Sequence, residues 1–235
     1  MNTALSIVGF KKSGKTTLML DLIRELKKRQ VKVSAAKFSH HSFDRQDTDT
    51  GKIGSEAVDL AGLAENQTFF SWPGKKYLPD LVPLMSGDVL LVEGGKGLGW
   101  LPRVLTLKSP EEAADLDNGL ALATFGRVRT DYLLHLESVA MLADLMLQKG
   151  FILPGLDCGS CGHEACSGLA AEIVSGNAGR EDCLARGDSL EIRINGKTLG
   201  MNPFVGRVIS KSILGMLSEL KGYSPGKVEI IISGR

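Results

Sequence analysis

Cys158, Cys161, Cys166 and Cys183 are the only cysteines of the chain, spaced C-x2-C-x4-C-x16-C. Thiolates are soft ligands, and four of them complete the coordination of an iron–sulfur cluster or a zinc ion. Structural zinc commonly uses two close cysteine pairs. Here one close pair is followed by Cys166 and a long return to Cys183, which suits four sulfurs around a larger [4Fe-4S] cube better. Zinc and a pair of disulfides remain the alternatives at this point. Gly159 and Gly162 let the backbone turn tightly around a compact object. Residues 164–174 read as a helix with Cys166 in its first turn, where the amide dipoles favour a thiolate or an anionic cluster. His163 lies between ligands, but four thiolates suffice without it. Phe151, Ile152, Leu153, Leu156 and Leu169 are expected to shield part of the centre from water.

A second set of chemistry-bearing residues stands near the other end. Gly9-Phe10-Lys11-Lys12-Ser13-Gly14-Lys15-Thr16 fits the phosphate-binding pattern G-x4-G-K-[ST]. A glycine-rich turn exposes several backbone amides at once, and the helix that follows adds its N-terminal field. The candidate nucleotide-binding residues are Gly9, Lys12, Ser13, Gly14, Lys15, Thr16 and Thr17. Lys15 reaches for the outer phosphates, and the Thr16 hydroxyl is a ligand for Mg2+. Hydrolysis also needs an oriented nucleophile. The candidate catalytic residues are Asp44, Asp49 and Glu93, with Glu93 a second Mg2+ candidate, directly or through water. Lys37, His40 and His41 are candidate contacts for an anionic substrate, and Lys96 adds positive charge to the same cleft. The bland alternatives are a solvated acidic loop for Asp44, Asp47 and Asp49, and an ordinary strand-end carboxylate for Glu93.

Both sets need a scaffold. Residues 4–8 read as a buried parallel strand, 16–29 as a helix with Leu18, Leu22, Ile23 and Leu26 on one face, and 31–36 as a second strand. That order is the context the phosphate-loop pattern requires. Residues 40–52 read as a polar active-site loop, 55–63 as a short helix, 68–72 as a strand and 78–85 as a helix. Strands are expected at 89–92, 103–107 and 120–124, and a helix at 138–149. A hairpin is expected around Asn195-Gly196, then a helix over 204–220 and a final strand over 228–232. The fold class is therefore α/β: a P-loop, three-layer α/β/α arrangement with a mainly parallel sheet, a small iron–sulfur domain and a C-terminal β-α-β segment. The expected domains are 1–135 for nucleotide binding, 136–186 for the cysteines and 187–235 for the C-terminal segment.

At 235 residues with 43% hydrophobic composition, the chain has enough apolar content for a substantial core. A formal charge of +1 gives no electrostatic case for nucleic acid. No secretion signal and no membrane-spanning run is seen. A cytoplasmic location is expected, where free thiols are the rule.

With these residues in view, roughly the first 110 positions resemble the MobB family, small GTP-binding proteins of molybdopterin-guanine dinucleotide biosynthesis. The resemblance is carried by Gly9 to Thr16, by Lys37-Phe38-Ser39-His40-His41-Ser42-Phe43-Asp44, by Asp49-Thr50 and by Val92-Glu93-Gly94. Asp49-Thr50 stands where the family has Asp-Ser, and 55–63 lacks the family's arginine. The resemblance implies GTP with Mg2+, weak GTPase activity and a homodimer. It also implies partnership with the molybdopterin guanylyltransferase or another cofactor-maturation enzyme of a molybdenum or tungsten pathway. No Asn-Lys-x-Asp guanine motif is present, so GTP over ATP follows from the resemblance alone. Residues 151–183 resemble the four-cysteine [4Fe-4S] domain of RnfB-type electron-transport subunits and corrinoid iron–sulfur proteins, through Leu153-Pro154, Cys158 to Gly162, Cys166 and Cys183. The expectation is a GTP-binding accessory protein of cofactor biosynthesis that carries a [4Fe-4S] cluster. The alternative is an NTP-driven electron-transfer or metallocluster-assembly protein.

Overall fold

Val89-Leu90-Leu91-Val92 is apolar without alternation, the mark of a strand covered on both faces. In the computed structural model it is the strand next to the centre of a six-stranded parallel sheet. The structure describes residues 1–39, 48–72, 74–185, 190, 192–194, 197–199, 201, 203–224 and 228–232. Along the chain run β1 (Thr3–Val8), α1 (Lys15–Lys28), β2 (Val33–Lys37), α2 (Asp49–Glu56), β3 (Leu60–Leu63) and β4 (Thr68–Ser71). Then come α3 (Leu78–Leu81) with a 3-10 turn at Val82–Leu84, β5 (Val89–Glu93), β6 (Arg103–Leu105), α4 (Glu112–Leu116), β7 (Ala121–Phe125) and β8 (His135–Leu136). The chain continues with α5 (Val139–Lys149), α6 (Cys166–Ser175), a 3-10 turn at Arg180–Asp182, β9 (Arg193–Ile194), β10 (Lys197–Thr198) and α7 (Pro203–Ser218).

The sheet order is β2-β5-β1-β6-β7-β8, every pair parallel. Side chains alternate across it. Leu5, Ile7, Val89 and Leu91 meet Leu18, Leu22 and Leu26 of α1 and Leu142 and Met146 of α5. Ala4, Leu90 and Val92 face the other way, onto Phe151, Leu153, Cys166, Leu169 and Cys183. The cysteine segment therefore forms the second covering layer of the sheet. A smaller cluster packs α4 under Val8, Leu105 and Ala121. Ile7 is fully buried in the first layer. Ile7→Val is expected to cost about 1 kcal/mol and to lower Tm by about 3 °C in a thermal melt. An unchanged Tm would mean the layer repacks without a void.

Two expectations are corrected. Residues 55–63 are not one helix. The Thr48 hydroxyl accepts the Gly51 amide at 3.0 Å and starts the helix at Asp49. That helix ends before Ala57, and Leu60–Leu63 pairs antiparallel with β4. Gly62 allows this pairing: a Cβ there would lie 2.0 Å from the Phe69 ring. Residues 228–232 form no strand among the described residues. The run has β-branched propensity, but a strand also needs an edge to pair with, and Ile231 and Ile232 stand exposed. The hairpin and the helix before this run are present as β9, β10 and α7. Among the described residues no helix is long and apolar enough to cross a membrane.

Candidate functional site

The phosphate loop leaves β1 at Val8 and turns in a space only glycine fits. A Cβ on Gly9 would lie 2.4 Å from the Ser13 hydroxyl and from the Thr106 carbonyl. Lys12 (φ 64°) and Gly14 (φ 89°) take left-handed conformations that swing the chain into α1. No side chain caps the first amides of α1, so its positive end faces the loop. Ser13 and Thr106 hydroxyls lie 2.8 Å apart. Lys15 Nζ donates to the Phe10 carbonyl at 2.7 Å, inside the loop itself.

β5 sits between β1 and β2, and its register sets Glu93 beside both Ile7 and Lys37. Glu93 is 7% exposed. Thr16 donates its hydroxyl to Glu93 Oε1 at 2.9 Å. Lys37 Nζ approaches the same carboxylate at 3.1 and 3.2 Å. Lys96 holds its ammonium 3.6 Å from the centroid of the Phe10 ring. Burial pushes the Lys15 ammonium below its ordinary value, and Lys96, Lys37 and Lys108 push it the same way against the pull of Glu93. Among the described residues, the Lys15, Lys37 and Lys96 ammonium groups around the Glu93 carboxylate leave a positive edge, complementary to an anion, while Lys108 is paired with Glu112 at 3.5 Å.

Gly9, Lys12, Ser13, Gly14, Lys15, Thr16, Glu93 and Lys37 are thus gathered at the C-terminal edge of the sheet, with Thr17 exposed on α1 beside them. Asp49 is not drawn in. It lies in the first turn of α2 with a 99% exposed side chain, 3.9 Å from Lys52. His40, His41 and Asp44 lie outside the described residues. Thr106 escaped sequence reading, although a hydroxyl just past a strand adjacent to β1 is a usable signal. Arg103 escaped as well. It is 1% exposed, and its guanidinium donates to the carbonyls of Leu116, Lys96 and Leu98.

The cysteine segment begins where the Leu153 amide bonds the Trp100 carbonyl at 2.8 Å. Gly155, Asp157, Gly159 and Gly162 all have positive φ, so the chain winds back on itself. The Asp157 carboxylate accepts the Cys166 amide at 2.7 Å, and the Asp157 amide points at Cys166 Sγ at 3.4 Å. All four cysteines are free thiols, and all four line one pocket with Leu153, Leu169 and Ala185. Cys166 and Cys183 are buried, Cys161 half-buried and Cys158 exposed. Burial pushes the Cys166 thiol up, against the Asp157 and Leu156 amides. The Cys158 thiol is lowered chiefly by its hydrogen bond with Ser160, and further by Arg207 of α7. Among the described residues no group of three or more His, Cys, Asp or Glu side chains is drawn together as a site for a metal ion.

A parallel sheet with a phosphate loop at its C-terminal edge defines a P-loop nucleotide-binding-type α/β protein, here with a four-thiol pocket built into one covering layer. The family model MobB, "Molybdopterin guanine dinucleotide synthesis protein B", matches residues 4–122, and the chain belongs to that family. A second model, "Putative Fe-S cluster", matches residues 153–185. The chain is 26% identical over 241 residues to the "Putative molybdopterin-guanine dinucleotide biosynthesis adapter protein" of Methanocaldococcus jannaschii, spanning 97% of both. It is 36% identical over 100 residues to the Haemophilus influenzae "Molybdopterin-guanine dinucleotide biosynthesis adapter protein", covering 39% of this chain and 56% of that one. The Bacillus subtilis MobB crystal structure shares the fold, with TM-score 0.51 and 22% identity over 62% of this chain and 96% of that chain.

Proposed function

We propose that the protein is a GTP-binding adapter of molybdopterin-guanine dinucleotide biosynthesis that carries a [4Fe-4S] cluster on Cys158, Cys161, Cys166 and Cys183. The observation that carries the nucleotide half is the Thr16–Glu93–Lys37 arrangement beside the uncapped start of α1. In this reading Lys15 and the loop amides hold the phosphates. Thr16 and Glu93 then turn their oxygens to Mg2+, a hard ion suited to oxygen ligands. Glu93 also orients water for slow hydrolysis. Asp44 is a further candidate for that task, whereas Asp49 stands in solvent; Lys37, His40 and His41 meet the anionic pterin or its enzyme. GTP rather than ATP follows from the family. The relatives named as adapters support a partner enzyme, taken here as the guanylyltransferase; a homodimer follows from the family resemblance alone.

The cluster half is supported by four free thiols on one pocket with an apolar wall and by the matched iron–sulfur model. Such a cluster supplies one-electron chemistry or a structural staple. The residues around it limit water: Leu153 and Leu169 are buried beside it, and apolar shielding tunes both potential and stability.

Calorimetric titration with GTP, ATP and the partner enzyme tests the reading. GTP is expected to bind with Mg2+ and more tightly than ATP, and the partner to be captured by the loaded chain. No GTP binding and no partner interaction would end it. Thr16→Val keeps the shape of an exposed residue but removes the hydroxyl. It is expected to weaken GTP binding by roughly tenfold in Mg2+ and far less in EDTA. An equal loss in both media would remove Thr16 from the metal.

A further inference from the structure

The stretch from Glu93 to Arg103 touches both sites. At its start, Glu93 accepts from Thr16 at 2.9 Å. Three residues on, Lys96 lies over Phe10 of the phosphate loop. At its far end, Gly99 packs against α6 so closely that a Cβ would stand 2.8 Å from the Cβ of Ser167, the neighbour of Cys166. Trp100 is 7% exposed. Its carbonyl receives the Leu153 amide at 2.8 Å, and its ring covers Gly155, where a Cβ would lie 3.1 Å away. Between these ends, Gly94 (φ 86°) and Gly95 (φ 69°) form a left-handed bend. Arg103 fastens the middle. Its guanidinium holds the Lys96 carbonyl at 3.2 Å and the Leu98 carbonyl at 2.9 Å, and its Nε finds no hydrogen-bond partner among the described residues. Burying a cation is costly; what this one secures is the course of residues 96–98.

We propose that residues 94–102, positioned by Arg103, couple the phosphate loop to the cysteine pocket, so that nucleotide occupancy changes the packing of Trp100 and the hold of the four thiols on their bound group. This rests on the proposed function. Incoming phosphates and Mg2+ compete for two groups that are engaged: Lys15, on the Phe10 carbonyl, and Thr16, on Glu93. Glu93 then loses a donor, and Lys96 is drawn from the Phe10 ring toward the new negative charge. Both are on one short segment hinged on two glycines. Its far end has no slack, because close-packed contacts transmit displacement rather than absorb it. A shift of residues 96–98 is therefore carried through Gly99 and Trp100 to Ser167 and Gly155, on either side of the cysteines. By linkage the effect is reciprocal: the occupied cysteine pocket changes nucleotide affinity by the same factor.

The test uses the full chain, purified anaerobically, with Trp72→Phe so that Trp100 is the remaining indole of the chain's two. A non-hydrolysable GTP analogue with Mg2+ is added, with binding followed by calorimetry. The expected result is a shift in Trp100 emission and a change of about fivefold in the rate of iron release to a ferrous chelator. Gly99→Ala is expected to alter iron release without nucleotide and to remove the response, and adding Ser167→Gly, which reopens the space, to restore it. Bound analogue with unchanged Trp100 emission and iron release overturns the coupling while leaving nucleotide binding intact. Failure of the analogue to bind overturns the proposed function, and the coupling with it.

Discussion

Lys15→Ala is expected to lower GTP affinity by about a hundredfold or more while leaving the iron content unchanged. The side chain is the cation best placed for the outer phosphates, and charge-assisted contacts are the strong ones. Its resting partner is a single carbonyl of its own loop, Phe10, at 2.7 Å. Losing that bond exposes little, so the fold stays. Burial and the neighbouring Lys96, Lys37 and Lys108 already disfavour its charge. Phosphate relieves that repulsion, and alanine forfeits the gain. Titration calorimetry and iron analysis on the same preparation check the two halves separately. Equal loss of nucleotide and iron would indicate unfolding or a shared site, contrary to the separate positions of the loop and the thiols.

Cys183→Ser is expected to leave a labile centre of about three irons in place of about four. Cys183 is 6% exposed and follows the 3-10 turn at Arg180–Asp182. It reaches the pocket from a different segment than Cys158, Cys161 and Cys166, and shares the hydrophobic cluster of Leu153 and Cys166. Serine matches its size but is a hard oxygen donor, poorly suited to iron held by sulfide. The other three thiols, set by the turns through Gly159 and Gly162 and by the start of α6, keep their cradle. Iron and sulfide assays with EPR follow the change. Iron retained at the wild-type level, with an unchanged spectrum, would remove Cys183 from the ligand set.

Much of this was legible before the structure. The apolar run at 89–92 announced a strand covered on both faces, and the loop between β1 and α1 announced its own flanking elements. What lies on each face was not legible. A continuous apolar strand signals burial but not its source, so the cysteine segment as one layer of the sheet emerges only from tertiary packing. Thr48 carried a helix-start signal that the apolar spacing of 55–63 obscured, and short apolar runs fit helix and strand alike. The two-residue strand β8 and the one-turn helix α4 are too brief to show a period. In the sequence Arg103 is only the first residue of an expected strand. Only the structure shows its guanidinium turned inward to three carbonyls. At the candidate site, local spacing alone groups the phosphate-loop residues, while Glu93, far along the chain, is set beside Lys37 by strand register and bonded by Thr16. Asp49 shows the opposite case, a carboxylate that the sequence offers for the site and that the fold leaves in solvent.

The central claim is that one chain holds a nucleotide site and an iron–sulfur cluster. It is tested most directly by anaerobic purification followed by iron, sulfide and zinc analysis, with bound nucleotide measured on the same sample. The account predicts about four irons and about four sulfides per chain, little zinc, and one GTP site that fills in the presence of Mg2+. Stoichiometric zinc without sulfide would contradict it, and with it the coupling of nucleotide state to cluster release.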